Sequence, residues 1–345
     1  MAIRVLVVDD SATARAMITD VLSKDSHIEV IGAAPDPYVA RDMIVKHKPD
    51  VICLDVEMPR MDGITFLRKI MQHMPTPVVM VSSLTKKGAK VTLDALDAGA
   101  VDFVSKPHMH IYDGIGEMEK ELIEKVKNAA HSNLKKTIAA IKQTPKKEIT
   151  TALGETTNKV IAIGASTGGT VALQEVLTVL PPNSPGIVIV QHMPQNFTAA
   201  FAERLNDLCR IEVREAKHGD IVGVGTALIA PGELHMVVKR TGGRYYVEVG
   251  TGKKVSGHRP SVDVLFNSVS KYVGSNAVGA ILTGMGSDGA KGLLKMKNSG
   301  AKTVAQDSQS CVVYGMPKVA VELGAADYVE SLRDIPERLM ELVSK

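Results

Sequence analysis

What the chain has little of narrows its class first. Its 345 residues include only three cysteines, Cys53, Cys209 and Cys311, far apart and in no C-x-x-C pair, which argues against a disulfide framework and against a thiolate zinc cluster. No apolar run approaches the roughly 20 residues that span a bilayer, so no membrane insertion is expected. The first residues read directly into a strand with no charged leader or cleavage site, and a cytoplasmic protein is the expectation. The net charge of +3 is small and the lysines are dispersed, with no basic stripe and no interleaved aromatics, so nucleic acid is not an expected partner. The sixteen methionines read as core filler.

What is present is alternation. "IRVLVVDD", "IEVIGAA", "DVICLDV", "TPVVMVSS" and "AVDFVSKP" are β-rich runs separated by amphipathic stretches such as residues 12–22. That spacing predicts βα units around a five-stranded parallel sheet covered on both faces, a doubly wound domain over residues 1–125. Residues 126–156 then turn to "KKTIAAIKQTPKKEITTALGETTN", polar and lysine-rich, which reads as a linker. From 157 to 345 the alternation resumes with "KVIAIGAS", "GIVIVQHMP", "TALIAPG", "NAVGAILTGMGSDG" and "AKTVAQD". Within this half Thr241-Gly242-Gly243 separates two strand-like runs, the pattern of a β-hairpin. The expectation is a second α/β domain, doubly wound and mostly parallel, with an antiparallel hairpin. A length of 345 residues, 45% of them hydrophobic, supports two such cores.

In the first domain Asp9 and Asp10 follow one apolar run and Asp55 follows another. All strands of a parallel sheet end at one edge, where open α/β folds bind ligands, so these carboxylates should share a crevice. Clustered carboxylates repel unless a cation neutralises them, and an all-oxygen set suits Mg²⁺. Any one Asp after a strand commonly caps the next helix. The whole set, with Ser82-Ser83 and Lys106 at further strand ends, instead composes a site that could hold a phosphoryl group on Asp55. "VDD", "LDVEMPRMDG" and "VSKP" resemble the receiver domain of two-component response regulators, a flavodoxin-like (βα)₅ fold. That resemblance implies phosphorylation at Asp55, Mg²⁺ held by Asp10, Asp55 and the Glu57 carbonyl with Asp9 acting through water, phosphoryl contacts from Ser82 and Lys106, and an aromatic switch at Phe103. Ser82 stands where the family often has threonine; the hydroxyl is retained.

In the second domain "GASTG" fits G-x-S-x-G, a strand-to-helix turn able to present Ser166. The same glycines could form a phosphate nest or a plain connection. A nucleophilic serine needs a base and an orienting acid. His192 follows the next strand and Asp288 follows a later one, so Ser166, His192 and Asp288 can meet at one sheet edge, with His235 and His258 as rival bases. Residues 284–289 are also formally G-x-G-x-x-G, with Asp307 near the distance of a ribose-binding acid, which keeps open a receiver-controlled nucleotide-binding module without hydrolase activity. Against it, that fingerprint usually opens the fold and here comes late.

"AIGASTGG", "QHMP", "APG", "HRPSVDVLF", "LTGMGSDG" and "AQDSQSCVVYGMP" resemble the catalytic domain of the CheB family of chemotaxis methylesterases. The resemblance implies hydrolysis of glutamate γ-methyl esters, and deamidation of glutamines, on methyl-accepting chemotaxis receptors. It implies a Ser166, His192, Asp288 triad with no cofactor in that domain, and oxyanion donors near Met285 and Thr167. It further implies activation when the histidine kinase CheA phosphorylates the receiver, whose unphosphorylated form is expected to cover the esterase.

Overall fold

The computed structural model describes residues 2–82, 85–106, 115–132 and 158–344. The chain divides into two compact units, Met1–Ile138 and Ala139–Lys345. Most of the expected linker, from residue 133 onward, lies outside the described residues, as do Ser83 and Pro107.

The first unit runs β1 (Ile3–Val8), α1 (Ala12–Ser23), β2 (Ile28–Ala34), α2 (Pro37–His47), β3 (Val51–Asp55), α3 (Gly63–His73), β4 (Val78–Ser82), α4 (Lys86–Asp97), β5 (Asp102–Ser105) and α5 (Ile115–Ala130). The last helix continues past residue 125, where the sequence suggested the domain would end. The strands form one parallel sheet in the order β2-β1-β3-β4-β5. Every residue of β3 and β4 is buried, the continuous apolar run of a strand covered on both faces. Polar residues set where helices begin: Ser11, Asp36, Asp62 and Thr85 each accept a backbone N–H bond at the first turn of α1 to α4. Because β1 is flanked by β2 and β3, the chain reverses direction across the sheet at β1/β3, and the crevice at those strand ends is where Asp9, Asp10 and Asp55 fall.

The second unit repeats this logic on a larger sheet. Its strands are β6 (Val160–Ala165), β7 (Gly186–Gln191), β8 (Glu212–Glu215), β9 (Thr226–Ile229), β10 (His235–Thr241), β11 (Arg244–Gly250), β12 (Ala277–Ile281), β13 (Lys302–Gln306) and β14 (Tyr328–Glu330). Seven of them pair in parallel in the order β14-β13-β12-β6-β7-β9-β8. From β6 the chain winds one way through β7 and β9, then returns to β12 and winds the other way, so the switch point lies at β6/β12. The hairpin β10-β11 stands apart from this sheet, with Thr241 opposite Arg244 across the Gly242-Gly243 turn and Gly242 at φ 58°. Its Met236, Val238, Tyr245 and Val247 share a core with Leu265, Phe266 and Val269 of the helix Val262–Tyr272. The edge strands β8 and β14 escaped the sequence pattern because they are short and only partly buried.

The helix Val262–Tyr272 lies close on β6. A Cβ added at Gly164 would sit 2.2 Å from Val262 Cγ1, so only glycine admits this approach. Gly164→Ala should therefore destabilise the second unit by about 1–3 kcal/mol through overpacking. Val262→Ala in the same chain should return part of that loss, which thermal unfolding of the single and double variants would read.

Candidate active site and acidic phosphoacceptor site

Parallel register places the three candidate residues of the second unit side by side. Ala165 lies opposite Gln191 and Ile281 opposite Gly164, so Ser166, His192 and the loop after β12 emerge together at the switch point. Ser166 sits on the turn between β6 and the helix Gly169–Leu177, with Gly168 at φ 76°. His192 Nδ1 is 3.1 Å from Ser166 Oγ, and its Nε2 is 2.9 Å from Asp288 Oδ2. A carboxylate at Nε2 fixes the imidazole proton there, leaving the Nδ1 lone pair facing the serine hydroxyl. The two ring nitrogens thus exchange the places they take in a chymotrypsin-type triad.

Asp288 is 1% exposed. Its carboxylate accepts from the Ser261 hydroxyl at 2.9 Å, the Val262 amide at 2.7 Å and the Asp263 amide at 3.1 Å, besides the imidazole. Burial acts to raise its pKa, but the bond and charge of His192 together with the Asp263 and Val262 amides outweigh this and hold the carboxyl below the usual range. It is therefore an ionised, oriented acceptor at neutral pH.

The rival bases fall in supporting places. His235 is tied through Nε2 to the Lys253 carbonyl at 2.9 Å and accepts from the Ser261 amide through Nδ1 at 3.3 Å. His258 stacks on His192, ring centroids 3.8 Å apart and planes 11° from parallel. Asp307 accepts from the amide and hydroxyl of Ser310, closing its own turn. The glycines of 284–289 have packing reasons: a Cβ at Gly284 would lie 2.6 Å from Ser166 Cβ, and one at Gly289 would lie 2.4 Å from Val262 Cγ1. Gly284 thereby sets Met285, 48% exposed, beside the serine turn, while Thr167 is buried within that turn.

Sequence reasoning assigned no part to Ser261, Thr283, Gln191 or Gln306. Thr283 receives the Ser166 amide on its carbonyl at 3.0 Å, donates its hydroxyl toward the Thr167 carbonyl at 3.0 Å, and is itself held by Gln306 Oε1 at 2.8 Å. All four lie inside quoted motifs, but a motif does not say which of its members faces inward.

In the first unit the donor atoms of Asp9, Asp10 and Asp55 lie within 4.8 Å of one another. Lys106 Nζ bridges Asp9 Oδ2 and Asp55 Oδ2 at 2.8 Å each. Burial, the largest influence, pushes the Asp55 carboxyl up to about 6, helped by the Asp9 charge and opposed by Lys106. Burial acts to lower Lys106, yet the bonds from Asp55 and Asp9 hold its pKa above the ordinary value. An all-oxygen donor set with excess negative charge fits Mg²⁺. Glu57 is exposed beside this cluster, and its amide donates to Asp55 Oδ1 at 3.4 Å. Ser82, 1% exposed at the end of β4, has its hydroxyl 2.7 Å from Thr92 Oγ1. Phe103 is buried in β5 with Lys125 Nζ 4.9 Å from its ring centroid.

Comparison with known proteins agrees with both halves. A family profile described as CheB methylesterase matches residues 161–339, and one described as response regulator receiver domain matches residues 5–111. A protein of Sulfurimonas denitrificans named protein-glutamate methylesterase/protein-glutamine glutaminase is 65% identical, covering 100% of this chain and 99% of its own. A Syntrophus aciditrophicus protein bearing the same name, numbered 2, is 56% identical over 99% of each chain. The crystal structure of the Thermotoga maritima CheB methylesterase catalytic domain covers 54% of this chain and 98% of its own, with 42% identity and a TM-score of 0.53. With two domain profiles in order and full-length relatives above half identity, this chain belongs to the CheB methylesterase family, carrying a response-regulator receiver ahead of the methylesterase domain.

Proposed function

We propose that this chain is a phosphorylation-activated protein-glutamate methylesterase that hydrolyses glutamate γ-methyl esters of methyl-accepting chemotaxis receptors in the cytoplasm, with Ser166, His192 and Asp288 as its catalytic residues. The observation that carries the reading is the unbroken relay from Ser166 Oγ through both nitrogens of His192 to Asp288 at 3.1 and 2.9 Å. Ser166 Oγ attacks the ester carbonyl carbon as its proton passes to His192 Nδ1. Asp288 stabilises the resulting imidazolium at Nε2 without taking the proton. That Nδ1 proton then goes to the departing methoxide, releasing methanol and leaving an acyl-serine. Water gives a proton to the same nitrogen and attacks the acyl carbon; as the bond from that carbon to Ser166 Oγ breaks, His192 Nδ1 returns the proton to Oγ, so the serine is restored and the glutamate carboxylate leaves. Backbone amides at Thr167 and near Met285 receive the oxyanion. The same acyl chemistry on a receptor glutamine expels ammonia, in keeping with the glutaminase half of the relatives' names.

The receiver supplies control. Asp55 takes a phosphoryl group from the chemotaxis histidine kinase CheA, forming an acyl phosphate. Asp9, Asp10, Asp55 and the Glu57 carbonyl would hold Mg²⁺, which supplies neutralisation of the phosphoryl oxygens. Lys106 and Ser82 contact the phosphoryl group, and Phe103 responds to the movement of Ser82. Those contacts exist only in the phosphorylated form, so they shift the balance toward the active state. A nucleotide-binding reading is not favoured, since Asp307 and the glycines of 284–289 are occupied in packing and turns.

Methanol release from methylated receptor membranes by the full-length protein tests the proposal directly: release should rise when a phosphodonor and Mg²⁺ are added, and silence under both conditions would refute it. Ser166→Ala should abolish both this release and covalent labelling by a fluorophosphonate while leaving the melting temperature nearly unchanged. Retained labelling elsewhere, with retained release, would remove the triad.

A third expectation concerns pH. The folded Asp55 carboxyl stands at about 6, above its unfolded value, so its contribution to stability is fully present below pH 4 and is lost as pH rises through 6. In metal-free buffer Asp55→Asn should therefore stabilise the receiver at pH 7, by an amount on the order of 2 kcal/mol. The gain should vanish as pH falls from 6 to 4, and denaturant unfolding at several pH values would show it.

A further inference from the structure

The Gln191 side chain connects the two halves of the catalytic apparatus. It ends β7, is 3% exposed, and donates through Nε2 to the Ser166 carbonyl at 2.9 Å and to the His192 carbonyl at 3.3 Å. An amide NH₂ carries two hydrogens, so both bonds coexist; the opposite amide orientation would set an oxygen against two carbonyl oxygens. The Ser166 carbonyl also receives the Gly169 amide at 2.7 Å. A Cβ on Gly169 would lie 2.1 Å from Gln191 Oε1, so the absence of a side chain there is what lets Gln191 reach the turn.

The consequence follows from peptide geometry. The bond joining Ser166 to Thr167 is planar and trans, so the Ser166 C=O and the Thr167 N–H point in opposite directions. Two donors hold the carbonyl toward the buried side. The N–H across the same peptide is thereby aimed away from Gln191. We propose that Gln191 is a positioning residue: it orients the Ser166–Thr167 peptide so that the Thr167 amide meets the oxyanion of the tetrahedral intermediate. This rests on the reading of Ser166 as the nucleophile. Gln191 touches neither substrate nor reacting atoms; it removes the rotational freedom of the peptide that does, and a preorganised donor needs no reorientation as charge develops.

The test uses the full-length protein with phosphodonor and Mg²⁺. Gln191→Met keeps the length of the side chain and removes both donors. It should lower kcat for methanol release by about 10- to 100-fold, below the roughly 10²–10³ of deleting an oxyanion donor outright, with KM changing less than about twofold, since the oxyanion exists only past the ground state. Affinity for an arylboronic acid, whose tetrahedral adduct on the serine mimics the intermediate, should fall by the same factor as kcat/KM. The pH–rate profile should drop without changing shape. A profile displaced along the pH axis would put the effect on His192 through its carbonyl and overturn the proposal, as would a change confined to KM. Gln191→Glu, which turns oxygens toward the two carbonyls, serves as the second variant should the first fail to fold. Wild-type kcat in either folded variant also overturns it. Ser166→Ala run alongside separates the two levels: if it is silent while Gln191→Met is fully active, the serine mechanism stands and only the role of Gln191 falls.

Discussion

Four donors converge on the Asp288 carboxylate, and the geometry of the esterase half follows from that convergence. A buried ionised carboxylate is tolerated only when its oxygens are satisfied. Here the donors are the Ser261 hydroxyl, the amides of Val262 and Asp263, and the imidazole of His192. Three of the four come from the N-terminal end of one helix, whose unpaired amides and dipole favour negative charge. The helix must therefore lie against the β12 loop, and Gly164 and Gly289 give it room to do so. Hairpin β10-β11 then closes over that helix from outside, with Val238 N–H bonded to Ser268 Oγ at 2.9 Å. The hairpin is remote from Ser166 in sequence, yet it packs on the helix whose N-terminal donors hold Asp288.

Both units place their chemistry by the same topological device. A parallel sheet that reverses its winding direction opens a crevice at the carboxyl ends of two strands. In the receiver the crevice at β1/β3 gathers Asp9, Asp10 and Asp55. In the esterase half β6/β12 gathers Ser166 and Asp288, and β7 brings His192. Neither arrangement requires a long loop to fold back: Asp9, Asp10, Asp55, Ser166 and His192 sit at or just past strand ends, and Asp288 lies in the short loop between β12 and the next helix.

This device is also why so much was legible in the sequence. A residue following an apolar run that will become a parallel strand has its position fixed to one edge, and Asp9, Asp10, Asp55, Ser166 and His192 all satisfy that condition. Asp288 lies six residues beyond its run, within reach of the same edge. The hairpin was readable from Gly242-Gly243, because a two-residue turn needs a backbone that tolerates positive φ. What did not show was the layer beneath. Gln191, Thr283 and Gln306 act through hydrogen bonds to backbone atoms of other segments and Ser261 through its hydroxyl on Asp288 Oδ1, and no periodicity marks which polar residue will turn inward. Strands β8 and β14 are edge strands of four and three residues with broken burial patterns, too short to carry a signal. Helix α5 keeps its pattern through Ala130, into residues whose lysines had suggested a linker.

The two carboxylate sites differ in one physical respect that matches their proposed roles. Asp288 has every lone pair directed at a donor, and its pKa is held low. Asp55 shares a single ammonium with Asp9, lies close to the further charge of Asp10, and is pushed up to about 6 by burial. A satisfied carboxylate is a poor nucleophile and a good orienting group, since its electron pairs are committed and its position is over-determined. An under-satisfied one retains lone pairs for a bond to phosphorus and gains from an arriving cation. The two aspartates both follow apolar runs and end up with carboxyls shifted in opposite directions, and the number of N–H and O–H groups turned toward each differs accordingly.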